Sequence, residues 1–104
     1  MLRRAARPSP EDTEEAAMLA LAGLTFLAED GPRLGRFLAM TGIGPDQLRA
    51  VADAPETLLA VLDHLLGDES LLLVFTASKG IAPERVAPAR SALARALGVE
   101  AAHE

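Results

Sequence analysis

The turn Gly42–Pro45 is the stretch of this sequence whose residue types most directly suggest chemistry. In helix-hairpin-helix elements, glycine amides in a turn of this kind bind a nucleic-acid phosphate. The nucleic-acid hypothesis would use five residues: Gly42, Gly44, Arg33, Arg36 and Arg49. However, Asp46 and Gln47 stand where basic residues are expected after such a turn, and the net charge is −5. We therefore expect the turn to connect two helices, with nucleic-acid binding as the less favoured alternative.

His64 is the second candidate for chemistry, because Asp68 and Glu69 follow it closely. A spacing of four residues places side chains on one face of a helix, where they could share a metal ion. Gly67, however, is expected to end the helix between them, and Asp68 to cap the next helix. We expect no metal site, no cofactor and no enzymatic activity; a metal-dependent activity at His64 is the alternative.

Composition predicts one globular domain. The chain has 104 residues, half of them apolar, with three phenylalanines and no cysteine. We expect a flexible basic arm at 1–9, one helical domain at 10–98 and a frayed tail at 99–104. The basic N-terminus lacks the apolar segment of a secretory signal, and no apolar run is long enough to span a bilayer. These features favour a cytoplasmic protein without membrane contact.

Six helices are expected from the positions of proline, glycine and aspartate. Pro10, Pro45, Pro55 and Pro83 suit first helical positions, and Asp30 and Asp68 suit N-caps. The last helix should begin at Pro83 and bend at Pro88. The predicted ranges of the first five helices are 10–28, 31–41, 45–53, 55–66 and 69–79. The run Leu71–Phe75 could by itself form a buried strand.

An internal repeat favours the helical interpretation of that run. Shifting the chain by 38 residues aligns 17–52 with 55–90 and gives 11 identities in 36 positions. The match includes the two aspartate caps, core positions such as Phe37 and Phe75, and both Gly-Ile-x-Pro turns. The sequence therefore predicts an all-α, compact bundle of about six helices with a pseudo-twofold repeat.

The two copies differ in the surfaces that they leave apolar. The first helix carries Leu19 and Phe26, with the small Ala22 and Gly23 between them, on a second apolar face. The last helix is expected to cover that face; the alternative is a groove for a partner protein, with Leu19, Phe26, Ala22 and Gly23 as its contacts.

The fifth predicted helix, 69–79, is apolar nearly all round. We expect it to be the most buried helix or to lie at a homodimer interface. The leading functional hypothesis is thus a non-enzymatic interaction or regulatory module. Its partner would be a protein of unknown identity or a second copy of the chain.

The segments "FLAEDGPRLGRFLAMTGIGPDQLR" and "LLGDESLLLVF", followed by "GIAPERV", resemble a family of short, mainly alphaproteobacterial proteins. This family is known as domain of unknown function 3572, and the likeness covers residues 10–97. The resemblance implies a small helical bacterial protein without an assigned activity or functional residues.

Overall fold

The computed structural model describes residues 10–98, and this part of the chain consists of helices joined by short turns. It contains six α-helices, one short 3-10 helix and no strand, so the all-α prediction is confirmed. The α-helices are α1 (Pro10–Ala28), α2 (Gly31–Thr41), α3 (Pro45–Val51), α4 (Pro55–Leu66), α5 (Glu69–Lys79) and α6 (Val86–Leu97). The run Leu71–Phe75 lies inside α5 and is helical. The basic arm at 1–9 and the tail at 99–104 lie outside the described residues.

Matched caps begin and end the two equivalent helices α2 and α5. The carboxylate of Asp30 accepts a hydrogen bond from the Arg33 amide at 3.0 Å, and that of Asp68 accepts one from the Leu71 amide at 3.1 Å. At their C-terminal ends, Gly42 and Gly80 take φ angles of 78° and 68°. L-residues with a side chain rarely adopt this conformation, so glycine lets the chain leave each helix without strain.

The last third of the chain differs from its prediction. Pro83–Arg85 forms the 3-10 helix, and α6 begins only at Val86. Pro88 therefore lies in the first turn of α6, where a backbone amide has no acceptor within the helix. Its missing N–H removes no hydrogen bond of α6. The prediction that the last α-helix begins at Pro83 is wrong, while the bend at Pro88 stays a prediction. In addition, α3 ends at Val51, two residues earlier than expected.

The core lies where α1, α4 and α6 pack against one another, while α2 and α5 flank this centre. All three phenylalanines, Phe26, Phe37 and Phe75, are almost fully removed from solvent. The other large core side chains are Leu19, Leu24, Leu27, Leu58, Leu59, Val61, Leu62, Leu65, Val86 and Leu93. Burying this leucine-rich surface is the main term that favours the folded chain.

Two ring contacts agree with the predicted pseudo-twofold repeat. The rings of Phe26 and Phe75 lie 5.3 Å apart, and those of His64 and Phe37 lie 5.4 Å apart. A shift of 38 residues takes Phe26 to His64, and the reverse shift takes Phe75 to Phe37. Each half thus places a residue of its first helix against the phenylalanine of the other half. Superposition of 17–52 on 55–90 stays a prediction.

Candidate functional site

The Leu19 and Phe26 face of α1 is buried within the chain. Leu19 is 6% exposed and Phe26 is 2% exposed. Leu19 lines a groove together with Pro88 and Ala89 of α6, the helix that was expected to cover this face and that packs against α1. Phe26 is covered instead by Phe75 of α5 and by the Arg33 guanidinium of α2, 4.4 Å above its ring. An open partner groove that includes Phe26 is ruled out because Phe26 is covered within the core, whereas Leu19, although nearly buried, lines the groove described below.

The two small residues on this face serve packing as well. Ala22 is half-buried against the core. Gly23 lies so close to α4 that an added Cβ would be 2.9 Å from Leu65 Cδ1 and 3.0 Å from Val61 Cγ1. The absence of a side chain at Gly23 therefore lets α1 and α4 approach each other closely.

The turn Gly42–Pro45 already uses the amides that a phosphate would need. The Gly42 amide donates to Leu38 O at 2.8 Å, and the Gly44 amide donates to Gln47 Oε1 at 3.0 Å. The amide of Ile43 donates to Thr41 Oγ1 at 3.3 Å. With these three donors paired inside the turn, a phosphate would have to displace existing hydrogen bonds. The geometry is that of a helix connection.

The three arginines of the nucleic-acid hypothesis have different environments. Arg33 is half-buried over Phe26, where cation–π attraction holds its guanidinium. Arg36 is exposed on α2, close enough to His64 to influence its titration. Arg49 is exposed in the last turn of α3. Because Arg33 is held against the core, only Arg36 and Arg49 of these three arginines are exposed as the nucleic-acid hypothesis expects.

His64 is half-buried, and its ring and that of Phe37 pack edge to face at an interplanar angle of 74°. Burial lowers the pKa of His64 below its ordinary value of 6.5; the Asp68 carboxylate opposes this effect and the Arg36 guanidinium adds to it. The Asp68 carboxylate is itself bonded to the Leu71 amide. Within residues 10–98 no three histidine, aspartate or glutamate side chains come together as metal ligands.

The outward side of α5 carries an uncharged apolar stripe, which consists of Ser70, Leu73, Val74 and Ala77. Leu73 is 45% exposed and Val74 is 47% exposed, whereas Phe75 on the opposite side is fully buried. The prediction that α5 would be the most buried helix is therefore wrong. The helix flanks the bundle, and only its Phe75 side reaches the core.

Helix α2 provides an internal comparison for this stripe. It has the same length as α5 and the same pair of caps, so the positions match by their distance from the capping aspartate. The residues of α2 that correspond to Leu73 and Val74 are Gly35 and Arg36, and both are exposed. This helix architecture thus does not require large apolar side chains at these positions.

The sequence matches a protein-family model over most of its length. The model described as "Protein of unknown function (DUF3572)" matches residues 13–96. The chain belongs to this family. The matched range contains the whole α5 stripe, and the DUF3572 description assigns no activity to any residue. No curated protein and no solved structure matches the chain.

This DUF3572 member also has a groove between the first half of α1 and the 3-10 helix with α6. The groove has a volume of about 510 Å³, with Ala16, Leu19 and Ala92 as an apolar floor. Charged residues of both signs form its rim: Asp12, Glu15, Glu84, Arg85 and Arg95. Apart from Leu19, the lining residues of this groove were not predicted, because its two walls come from segments more than 60 residues apart in the chain.

None of the helices in the described part of the chain is both long and apolar enough to cross a bilayer.

Proposed function

We propose that this protein is a non-enzymatic interaction module and that its contact surface is the outward stripe of α5. The supporting observation is the exposure of Leu73 and Val74 at positions where α2 carries Gly35 and Arg36. Keeping two neighbouring aliphatic side chains in water forgoes the free energy that their burial would contribute, on the order of 1 kcal/mol each for a half-exposed residue. Contact with another protein recovers this free energy.

The stripe has the form of a helix-packing surface. Its four residues have the spacing i, i+3, i+4 and i+7, which places them along one side of the helix. None of the four is charged, so burial against a partner leaves no ion unpaired. The hydroxyl of Ser70 is the single polar side-chain group in the stripe. The surface is thus suited to the apolar side of another helix.

Site-specific photo-crosslinking in the native cell tests this proposal. A photoreactive amino acid replaces Leu73 in the full chain, and the matched control carries it at Gly35 of α2. Both positions are exposed, so the folded chain can hold the probe at either place. We expect a discrete crosslinked protein from position 73 and none from position 35.

A second variant tests whether the crosslinked protein binds through the stripe. Val74→Arg, added beside the probe at position 73, places a charge in the contact and should abolish the product. Equal crosslinking from positions 73 and 35, or no product from position 73, would contradict the proposal.

A further inference from the structure

The contact surface on α5 has the composition and spacing needed to pack against itself. We propose that its occupant is a second copy of this chain, with the two α5 helices antiparallel about a twofold axis between Leu73 and Val74. This inference rests on the proposed function and specifies the partner. A twofold contact of this kind uses the same patch on both subunits, so one self-complementary stripe is sufficient.

The spacing of the stripe matches one packing hole. When helices pack closely, a side chain of one inserts between four residues of the other, and those four have the spacing i, i+3, i+4 and i+7. Ser70, Leu73, Val74 and Ala77 have this spacing. The small side chains of Ser70 and Ala77 at the two ends leave room for Leu73 of the other copy.

The charges at the ends of α5 favour the antiparallel arrangement. Asp68 and Glu69 lie at its N-terminal end, and Lys79 lies in its last turn. Lys79 pairs with Glu29 at 3.1 Å and keeps 29% of its side chain exposed. Antiparallel helices bring the acidic end of each close to the C-terminal end of the other. A parallel pair would place like charges and aligned helix dipoles side by side.

The size of the stripe predicts a weak dimer. Four residues on one helix bury far less than the roughly 800 Å² per subunit of a standard stable interface. We therefore expect a dissociation constant on the order of 0.1–1 mM, in the range of transient complexes. Such a dimer forms at high concentration and separates on dilution.

Disulfide mapping in the full chain tests the partner and its orientation together, since the natural sequence has no cysteine. About an antiparallel axis between residues 73 and 74, Ser70 of one copy lies beside Ala77 of the other. Two copies of Ser70 are instead separated by about 10 Å along the helix axis, beyond the reach of a disulfide. An equimolar mixture of Ser70→Cys and Ala77→Cys chains should thus form a disulfide dimer. Each variant alone should not.

The Gly35→Cys variant measures how much disulfide dimer an exposed cysteine outside the stripe forms, because Gly35 is the exposed position of α2 that corresponds to Leu73. In a glutathione redox buffer we expect on the order of tenfold more dimer from the mixture than from Ser70→Cys, Ala77→Cys or Gly35→Cys alone. Adding Leu73→Arg to both partners should return the mixture to background. Dimers from each single variant and none between the two variants would overturn the antiparallel arrangement.

If every sample contains only the amount of disulfide dimer that Gly35→Cys gives, the proposal that a second copy of the chain binds the stripe is wrong. The photo-crosslink at position 73 then separates the two proposals. A product whose mass includes a different protein would keep the proposed function and remove self-association. No product at all would remove both.

Discussion

At the scale of single residues, two glycines inside helices have opposite environments. An added Cβ at Gly23 would press on Leu65 and Val61, whereas one at Gly35 would meet nothing within 4 Å. Alanine is favoured over glycine in a helix by up to about 1 kcal/mol, and overpacking a core costs about 1–3 kcal/mol. We therefore expect Gly35→Ala to stabilise the chain and Gly23→Ala to be at least about 1 kcal/mol less stable than Gly35→Ala. Urea unfolding of both variants measures this difference, and equal stabilisation would contradict the close α1–α4 approach.

The lowered pKa of His64 makes the free energy of unfolding depend on pH. Burial beside Phe37 lowers its pKa in the folded chain, with Asp68 and Arg36 acting in opposite directions. The unfolded chain therefore binds a proton at His64 more readily than the folded chain does. The stabilisation that neutral His64 contributes to the folded chain is present above pH 6.5, and it is lost as the pH falls through the lower pKa of the folded chain.

We expect the free energy of unfolding to fall between about pH 7.5 and pH 5.5, and His64→Gln to flatten this decrease. Chemical denaturation across this range measures the effect. Both proteins retain His103, so the difference between their curves belongs to His64. Parallel curves would show that His64 titrates alike in the folded and unfolded chains.

At the scale of elements, the capping aspartates explain why α2 and α5 begin where they do. Replacing an N-cap aspartate by alanine leaves helix amides without an acceptor and costs about 0.5–2 kcal/mol. Asp30→Ala and Asp68→Ala should each destabilise the chain by such an amount, as measured by thermal or urea unfolding. Asp53→Ala, at an exposed residue between α3 and α4, is the control and should change stability by less than about 0.5 kcal/mol. Cap variants no less stable than this control would refute the capping role.

Helix starts and ends were predictable because they depend on local residues. The residues that begin or end these helices act within one helical turn of their own position, and each has the expected role in the structure: Asp30, Gly42, Pro45, Asp68 and Gly80. The change from 3-10 helix to α-helix at Val86 was not predicted. Proline is compatible with the start of a helix at Pro83 as well as with the first turn of α6 at Pro88, so the two prolines alone leave two possible starts.

The candidate surfaces depended on tertiary packing and were harder to predict. A helical wheel shows that the Leu19 and Phe26 side of α1 is apolar, but only the fold shows that Phe75 and Arg33 cover Phe26. Likewise, the sequence shows that α5 is apolar nearly all round, but not which side faces the core. Because α5 flanks the bundle, Leu73 and Val74 are left outside.

At the scale of the whole molecule, the net charge of −5 sets the salt dependence of self-association. Two copies repel each other, and salt screens this repulsion, whereas contact through the uncharged stripe of α5 is apolar. We expect dimerisation to strengthen when NaCl is raised from about 0.05 M to about 0.5 M. Light scattering at fixed protein concentration measures this change. Weakening with salt would instead indicate a contact dominated by opposite charges.

Sedimentation equilibrium over a range of protein concentrations tests the central claim, that two copies meet through the stripe of α5. We expect the average mass of the natural chain to rise above the monomer mass of 10.9 kDa as its concentration approaches about 1 mM. Met40→Arg, at a side chain that is 75% exposed on α2, should behave in the same way. Leu73→Arg/Val74→Arg should remain monomeric while keeping the helical circular dichroism of the natural chain. Identical curves for all three proteins, whether monomeric or associating, would contradict the account.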